Sequence, residues 1–486
     1  MSIRDKLLSG PLGFGTAPLG NMFRNVTEEE ADATIDAAWQ AGTRYFDTAP
    51  FYGAGLAEIR LGRTLAKHKR NEYVLSSKVG RNILDDIDPA TRNFGEKGDL
   101  FKYGRPNKIV YDYTADGTKK SIEDSLKRIG VARLDFIWIH DVARDFHGDE
   151  WVGQFETARK GAFRALTELR EQGVIKGWGL GTNRVEPCEL TIDMAESHPD
   201  GFLLAGRYTL LDHKLALQRL MPACAAKKVD IVVGGPYSSG ILAGGTHFEY
   251  QKASPEILGK VGRIKAMCER FGVPIKAAAL QFSMAHPASA AVIPGATRPD
   301  RIKEDYAAIA AVIPDDFWHE MRSQELVSAD APLPIDLKVA SKARASAPID
   351  IPASLEQVWK LIGGFDSLPD WLPYVPKSEL SDGGRVRHLA NPNGQTIVER
   401  LEEFDNSGRS YTYSILEAPF PVKEYRSTLC VHDVDGGGAR VEWSGEFTPN
   451  GVSNQEASRI FQSIFDDGLK ALASALSSKK TVAGSR

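Results

Sequence analysis

Three strand-like segments in succession end on an ionisable side chain. Residues 43–49 carry aromatic residues and then Asp47, the segment 73–78 ends on Lys78, and the segment 134–140 ends on His140. Aromatic and β-branched residues favour a pleated, half-buried surface. In a closed barrel of alternating strands and helices, the C-terminal strand ends meet at one rim, where the active site lies. We therefore expect Asp47, Lys78 and His140 to converge there with Tyr52, which follows Asp47 in the next turn.

Strand-like and helix-like segments alternate along the first two thirds of the chain. Helices are predicted at 27–41, where Thr27 and Glu30 form a capping-box pattern, and at 119–129, 158–172 and 215–227. The eight predicted strands are 12–18, 45–49, 73–79, 134–140, 176–182, 202–208, 230–234 and 290–294. Eight such units predict an α/β fold, a closed (β/α)8 or TIM barrel.

The chain order Asp47, Tyr52, Lys78 and His140 resembles the catalytic tetrad of the aldo-keto reductase family. The resemblance covers roughly residues 12–327, and Phe46–Gly53 looks like the D-threo-aldose 1-dehydrogenase and pyridoxal 4-dehydrogenase branch. It implies an NAD(P)-dependent oxidoreductase in which Tyr52 exchanges a proton with the substrate oxygen. Lys78, held by Asp47, would lower the pKa of Tyr52. His140 would orient the carbonyl.

The resemblance also implies where the nicotinamide end of the cofactor binds. Thr182 and Asn183 stand where the family has a Ser-Asn pair that holds the carboxamide. Tyr208 or Tyr237 is predicted to stack on the nicotinamide ring. The glycine-rich turn that contains Ser239 and Gly240 is predicted to approach the pyrophosphate.

The adenosine end is implied by the segment after the eighth strand. Arg301 matches a position that contacts the adenosine 2'-phosphate in the family. Gly295 and Asp305 replace a lysine and an asparagine of many NADP-using members, which leaves NAD and NADP both open. The candidates at this end are Gly295, Ala296, Thr297, Arg301, Glu304 and Asp305.

Charge, cysteines and hydropathy exclude some classes of partner. The net charge of -4 gives no electrostatic case for nucleic acid. The four cysteines form no CxxC pair, which indicates reduced thiols and no metal site. Because neither a signal peptide nor a membrane span is evident, we expect a cytoplasmic protein.

The long segment 80–112 is predicted to be a substrate-gating loop.

The pattern changes after residue 327. Residues 328–346 are rich in Ala, Ser, Pro and Lys and predict a linker, residues 347–480 a second domain, and residues 481–486 a disordered tail. Strands are predicted at 396–401, 410–416, 423–431 and 440–448, followed by a helix with an apolar stripe from 460 to 476. This order predicts an α+β helix-grip fold.

The second domain resembles the START-like polyketide cyclase and dehydratase superfamily (SRPBCC), whose members enclose an apolar cavity. Trp359, Trp371, Trp443 and Phe447 are either cavity walls or core. The polar residues considered for the cavity, to which no role is assigned, are His388, Glu399, Glu402 and Arg426.

Three functions stay open at this point. The first is interconversion of a carbonyl and an alcohol, with either a sugar-like or pyridoxal-like substrate or a bulky apolar one. The second adds a dehydration, cyclisation or lyase step in the C-terminal domain. The third is a binding protein that senses the redox state of its cofactor. A homo-oligomer is also open, because similar barrels occur in several assemblies.

Overall fold

A computed structural model describes residues 2–22, 24–87, 100–335, 342–390, 394–434, 437–450, 452 and 454–483. The chain divides into two compact units, Met1–Ile335 and Asp336–Arg486. Each unit has its own apolar core. Among the described residues, no helix is long and apolar enough to cross a bilayer.

The first unit is a barrel of eight parallel strands, counted over the described residues. Each strand pairs with the next one in the series, and Leu12 and Gly15 bridge Val292 and Gly295 to close the ring. The barrel strands are β1 (Phe14–Gly15), β2 (Tyr45–Asp47), β3 (Val74–Val79), β6 (Phe136–His140), β7 (Gly177–Thr182), β8 (Gly201–Ala205), β9 (Asp230–Gly234) and β12 (Ser289–Ile293). The predicted (β/α)8 barrel is confirmed.

Alternation along the strands separates the barrel interior from the layer under the helices. Tyr45, Val74 and Trp138 belong to a buried cluster inside the barrel. Their neighbours in sequence, such as Phe46 and Leu75, pack in the outer core. Because side chains alternate between the two faces of a strand, Asp47, Lys78 and His140 lie on the inward face above that cluster.

Helices cover the outside of the barrel. The Thr27 hydroxyl accepts from the Glu30 backbone N–H and the Glu30 side chain accepts from that of Thr27, so the predicted capping box is present. The predicted helix 158–172 is two helices that meet at Gly161, and 215–227 divides at Arg219. The helices are α1 (Glu28–Gln40), α2 (Leu56–Leu65), α3 (Ala115–Ile129), α4 (Arg144–His147), α5 (Trp151–Lys160), α6 (Ala162–Glu171), α7 (Glu186–Asp193), α8 (Lys214–Gln218), α9 (Leu220–Lys227), α10 (Pro255–Phe271), α11 (Ile275–Ala285), α12 (Pro299–Ala310) and α13 (Asp315–Ser323).

Two antiparallel strand pairs lie outside the eight-stranded barrel sheet. The segment 80–112, predicted as a loop, contains the antiparallel pair β4 (Arg81–Ile87) and β5 (Asn107–Tyr111). The prediction missed these strands because their side chains are mostly half-buried or exposed and their burial does not alternate along the strand. Residues 88–99 of the predicted gating loop lie outside the described residues. A second hairpin pairs β10 (His247–Phe248) with β11 (Gln251–Lys252).

The second unit is an antiparallel sheet with a long C-terminal helix. The described strands run in the order β13-β19-β18-β17-β16-β15-β14. They are β13 (Ala343–Ile351), β14 (Lys377–Ser381), β15 (Val386–Ala390), β16 (Thr396–Asp405), β17 (Ser410–Glu417), β18 (Val422–Val434) and β19 (Gly438–Pro449), and the helices are α14 (Leu355–Ile362) and α15 (Asn454–Ala483). The inner face of the sheet packs against α15 through Trp443, Phe447 and Phe465. The predicted helix-grip arrangement is confirmed.

The segment predicted as a linker is shorter in the structure. Ala331 and Leu333 are buried in the barrel core, and residues 343–346 belong to β13. Sequence composition misjudged β13 because Ala, Ser and Pro favour loops, yet Pro348 is tolerated on this edge strand, which pairs only with β19. Residues 336–341 of the linker and 484–486 of the predicted tail lie outside the described residues.

A close contact between two helices gives a stability prediction. A Cβ on Gly62 of α2 would lie 2.0 Å from the backbone oxygen of Ile129 in α3. Gly62→Ala is therefore expected to lower the free energy of unfolding by about 1–3 kcal/mol through overpacking. The measurement is the midpoint of urea unfolding. Gly259→Ala in α10 is the matched control, because nothing lies within 4 Å of its Cβ position and the change should stabilise the helix by about 0.5–1 kcal/mol. Equal stability of both variants would contradict this contact.

Candidate active site

A buried ion pair lies at the C-terminal rim of the barrel. Lys78 Nζ is 2.6 Å from Asp47 Oδ2 and donates to the Thr48 carbonyl at 2.9 Å. Ser76 Oγ donates to the second Asp47 oxygen at 2.6 Å. Both charged side chains are nearly inaccessible to water. Burial of either charge without the other would cost several kcal/mol, so β2 and β3 must be neighbours in this register.

Tyr52 lies directly above this pair. Lys78 Nζ is 4.7 Å from the centroid of the tyrosine ring, and the His140 ring stands perpendicular to it at 5.9 Å. The Tyr52 backbone packs against Gly20 so closely that a Cβ on Gly20 would be 2.5 Å from the Tyr52 carbonyl carbon. Gly53 has φ +67°, which an L side chain rarely adopts. These two glycines let the loop hold Tyr52 at the rim.

A second buried ion pair supports His140. Arg81 Nη2 is 2.7 Å from Asp141 Oδ2, and His140 Nε2 is 3.3 Å from the same carboxylate oxygen. The Arg81 guanidinium lies over the rings of Phe51 at 3.8 Å and Phe146 at 4.4 Å. Asp141 adopts a positive φ of 51° directly after β6. The carboxylate therefore turns back toward the imidazole and limits where the His140 ring can lie.

The environment of Tyr52 keeps its hydroxyl protonated. Burial raises the pKa of Tyr52 well above its ordinary value, and the negative charges of Asp47 and Asp141 act in the same direction. The positive charge of Lys78 opposes this rise, but Asp47 at 2.6 Å compensates that charge. The net shift of the Tyr52 pKa is therefore upward, opposite to the expected lowering.

Two cavities meet at Tyr52 and Asn183. The larger is a cleft of about 630 Å³ with a wall that includes Gly234, Gly235 and Gly240. The smaller cavity measures about 60 Å³. Its lining includes the three aromatic residues Phe51, Phe101 and Phe146 together with Lys78 and His140. The site thus has a long groove and a compact aromatic chamber that share the tyrosine.

The barrel matches a known family. Residues 11–325 match the model of the aldo/keto reductase family. The pyridoxal 4-dehydrogenase of Microbacterium luteolum is 37% identical over 336 residues, which are 67% of this chain and 96% of that protein. The chain belongs to the aldo/keto reductase family. It is an NAD(P)-dependent oxidoreductase that interconverts a carbonyl and an alcohol.

Further matches were found for this aldo/keto reductase, one of them to a family model that covers the second unit. The D-threo-aldose 1-dehydrogenase of a Pseudomonas species is 34% identical over 321 residues, which are 65% of this chain and 94% of that protein. Residues 342–477 match the family model described as polyketide cyclase / dehydrase and lipid transport. A solved structure of the protein XoxI from Bacillus cereus shares 57% identity, over 27% of this chain and 94% of that one, with a TM-score of 0.27.

Most of the predicted cofactor residues of this aldo/keto reductase line the larger cleft. Thr182 lines the smaller cavity, and Asn183 lines both. Glu304 is not part of the lining but is bound to Lys276 and Arg301. The predicted residues along the larger cleft are Asn183, Tyr237, Ser239, Gly240, Gly295, Ala296, Thr297, Arg301 and Asp305.

The two tyrosines predicted to stack on the nicotinamide differ in position, because Tyr237 lines the larger cleft and Tyr208 does not. Tyr208 is completely buried, with its ring stacked on Phe282 at 5.4 Å, and it lines neither cavity, so its assignment to the cofactor is wrong. The sequence misled because Tyr208 follows β8, where the chain turns back into the core. Tyr237 donates its hydroxyl to Asp305 at 2.6 Å, and Lys276 lies 5.0 Å from its ring centroid. Its stacking on nicotinamide stays a prediction.

Some residues of the site were not anticipated from the sequence. Arg207 donates to the Asn183 carbonyl at 2.7 Å and also pairs with Glu249, which adjoins the hairpin β10–β11. Tyr250 of the same hairpin lines both cavities. These contacts join residues distant in the chain, so no spacing rule could have indicated them. Asp141 was not predicted either, although an acid directly after the strand-end histidine is a signal that could have indicated it.

In the loop after β6, the side chains of Asp145 and His147 are held by contacts with the protein. Asp145 is buried, and His147 Nε2 lies 2.9 Å from the Tyr113 hydroxyl. Burial lowers the pKa of His147 to about 4, so the imidazole is neutral at physiological pH. The aromatic ring of Tyr111 at 4.4 Å covers the imidazole.

The second unit has a buried polar group of its own. Arg387 Nε is 2.6 Å from Glu399 Oε2, and Arg387 Nη1 donates to the Phe365 carbonyl at 2.8 Å. Trp443 Nε1 lies 3.1 Å from the hydroxyls of both Tyr413 and Ser427. Of the polar cavity candidates, Glu399 is therefore inside, whereas the other three are on the surface. Those three and their partners are His388 with Ser381, Glu402 with Ser414, and Arg426 with Glu403.

The Arg81–Asp141 pair gives a stability prediction. Asp141→Asn removes the charge but keeps a residue that tolerates a positive φ. It removes the carboxylate charge that lies 2.7 Å from the buried Arg81 guanidinium, so the free energy of unfolding is expected to fall by about 3 kcal/mol. Urea unfolding monitored by circular dichroism measures the loss.

The control for this pair is an exposed one of the same kind. Arg144 and Asp149 are 2.9 Å apart, but their side chains are 68% and 91% exposed. Asp149→Asn should change the free energy of unfolding by less than about 1 kcal/mol. If both Asn variants lost the same stability, the Arg81–Asp141 contact would not be a structural anchor.

Proposed function

We propose that this enzyme exchanges hydride between a nicotinamide cofactor in the larger cleft and a compact carbonyl or alcohol substrate in the aromatic chamber. The observation that carries the proposal is the position of Tyr52 at the junction of the two cavities, above the Asp47–Lys78 pair. The domain limits 1–327 and 347–480, with a linker at 328–346 and a tail at 481–486, stay a proposal, and the two compact units Met1–Ile335 and Asp336–Arg486 support the division into two domains. The cytoplasmic location and a homo-oligomeric state stay predictions.

The larger cleft fits a nicotinamide dinucleotide in size and donors. Its wall includes Gly234, Gly235 and Gly240, and the lack of side chains at these positions lets a pyrophosphate approach the backbone closely. Asn183, held through its carbonyl by Arg207, offers an amide at the junction with the chamber. When bound, the cofactor supplies the hydride chemistry.

The proposed roles of the tetrad follow from its contacts. Tyr52, protonated at neutral pH, donates its proton to the carbonyl oxygen during reduction, and its deprotonated form, the tyrosinate, accepts a proton from the alcohol during oxidation. Lys78 faces the tyrosine ring and stabilises the tyrosinate that forms, while Asp47 holds Lys78 in place. His140, held by Asp141, donates or accepts a hydrogen bond at the same substrate oxygen.

The chamber supports a compact substrate over a bulky apolar one. Its volume is about 60 Å³, and the rings of Phe51, Phe101 and Phe146 are part of its lining. Two relatives are named for pyridoxal and for D-threo-aldose, both of which are small and polar. We therefore place this enzyme with dehydrogenases of aldose-like or pyridoxal-like substrates. The apolar ligand, and a coupled step in the second unit, stay predictions.

The first test is the loss of the tyrosine hydroxyl. Tyr52→Phe should lower turnover at least about a hundredfold, because the proton donor is gone, and should leave cofactor binding unchanged. Turnover is followed by nicotinamide absorbance in both directions, against aldoses, pyridoxal and bulky ketones. Cofactor affinity is measured by fluorescence titration.

The control is Tyr103→Phe, at a tyrosine that is 48% exposed and lines neither cavity. It should retain full turnover. The wild-type oxidation rate should rise with pH, because the tyrosinate is the proton acceptor, and this rise should be absent from residual Tyr52→Phe activity. Unchanged turnover in Tyr52→Phe would refute the tetrad assignment.

We further propose NAD as the preferred cofactor. Lys276 Nζ is 2.6 Å from Asp305 Oδ1 and 3.0 Å from Glu304 Oε2. Arg301 Nη1 is 3.3 Å from the same Glu304 oxygen. The charges of Lys276 and Arg301 are thus compensated by two carboxylates, which disfavours a 2'-phosphate beside them. A carboxylate at this end suits the hydroxyl of an unphosphorylated ribose.

The cofactor proposal is tested by removing one negative charge. Wild-type kcat/KM should be higher for NAD than for NADP, and Glu304→Gln should improve the NADP value roughly fivefold. This corresponds to about 1 kcal/mol for a unit charge at about 4 Å in water. Glu196→Gln, which alters a surface pair with Arg159, is the matched control and should leave the ratio unchanged. A wild-type preference for NADP would overturn the proposal.

A further inference from the structure

Three metal-binding side chains meet on the outer face of the second unit's sheet. Along β18, Leu429 and Val431 point into the core. Cys430 and His432 alternate with them and therefore share the opposite face. Glu442 on β19 is directly paired with Cys430, so its side chain projects from that same face. The register of two paired strands thus brings a thiol, an imidazole and a carboxylate together.

The ligand atoms of this trio are within reach of a single ion. Cys430 Sγ is 3.3 Å from His432 Nε2, and His432 Nε2 is 3.9 Å from Glu442 Oε2. The three atoms all lie within 4.8 Å of one another. Zinc binds sulfur at about 2.3 Å and nitrogen or oxygen at about 2.0–2.2 Å, so tetrahedral ligands are about 3.3–3.7 Å apart. The sulfur–nitrogen distance is already in this range, and rotation of the exposed Glu442 side chain would bring its carboxylate to the same ion.

We propose that Cys430, His432 and Glu442 bind one Zn²⁺ ion, with water as the fourth ligand. The donor set favours zinc because thiolate and imidazole are poor ligands for Mg²⁺ and Ca²⁺, which take oxygen. Two extended, hydrogen-bonded strands hold all three residues, so little order has to be created when the ion binds. This site lies outside the barrel and does not depend on the proposed oxidoreductase mechanism.

The charges around the trio are compatible with a cation. Arg440 is paired with His432 in the strand register, but its guanidinium is bound to Asp350 by two hydrogen bonds of 2.7 and 2.8 Å. Its positive charge is therefore largely compensated. The Cys430 thiol lies 3.7 Å from the Glu442 carbonyl, to which it donates. Binding of Zn²⁺ replaces that S–H proton, which is released to solvent, by a Zn–S bond.

The experiment measures metal binding by the full chain under reducing conditions. The protein is dialysed against Zn²⁺, and the bound zinc is quantified by mass spectrometry. Wild type should hold one equivalent, and Cys430→Ser and His432→Ala should each weaken binding by about tenfold or more. Titration with Co²⁺ gives a second readout, because a thiolate–cobalt charge-transfer band reports the sulfur directly.

The matched control is His388→Ala, which removes an exposed imidazole from another strand of the same sheet. It should bind zinc like wild type. The site is refuted if wild type holds no zinc and gives no thiolate–cobalt band. It is also refuted if Cys430→Ser and His432→Ala bind as much zinc as the control. Thermal melting verifies that each variant is folded, and the wild-type cobalt spectrum decides the question without any variant.

Discussion

The buried contact between Lys78 and Asp47 is the interaction on which the catalytic end of the barrel depends. Neither charge can be buried alone without a large penalty, so the contact ties the register of β2 to that of β3. The same contact places an ammonium group beneath the ring of Tyr52. One ion pair therefore serves both the packing of the barrel and the chemistry proposed for its rim.

A second ion pair extends this arrangement to His140. Arg81 lies two residues past the end of β3 and Asp141 one residue past the end of β6, and these strands are neighbours. The first pair thus contacts the tyrosine through Lys78, and the second contacts the histidine through Asp141. Aromatic rings around Arg81 keep water away from the pair, which strengthens it and also shapes the chamber.

The second unit shows how one strand serves two faces. Alternate residues of β18 fill the core, where Leu429 and Val431 are almost fully buried. The residues that alternate with them, Cys430 and His432, lie on the outer face and meet Glu442 of the next strand. The inner face carries its own buried pair, Arg387 with Glu399. A shift of one residue in register would exchange these faces, so the hydrophobic core fixes both polar groups.

The amino-acid sequence by itself determined the barrel and the helix-grip fold, because these depend on local periodicity. It also determined the family, because three members of the tetrad end successive strands and the fourth, Tyr52, follows the first of them. Residues such as Asp47, Lys78 and His140 were predictable since strand ends of a parallel barrel meet at one rim. The tertiary structure alone decided that Tyr208 is core, that Tyr237 is bound by Asp305, and that Arg81 reaches Asp141. It also decided that Cys430 and Glu442 are opposite one another. These contacts join residues far apart in the chain, and only the packing of side chains around a fixed backbone determines which of them meet.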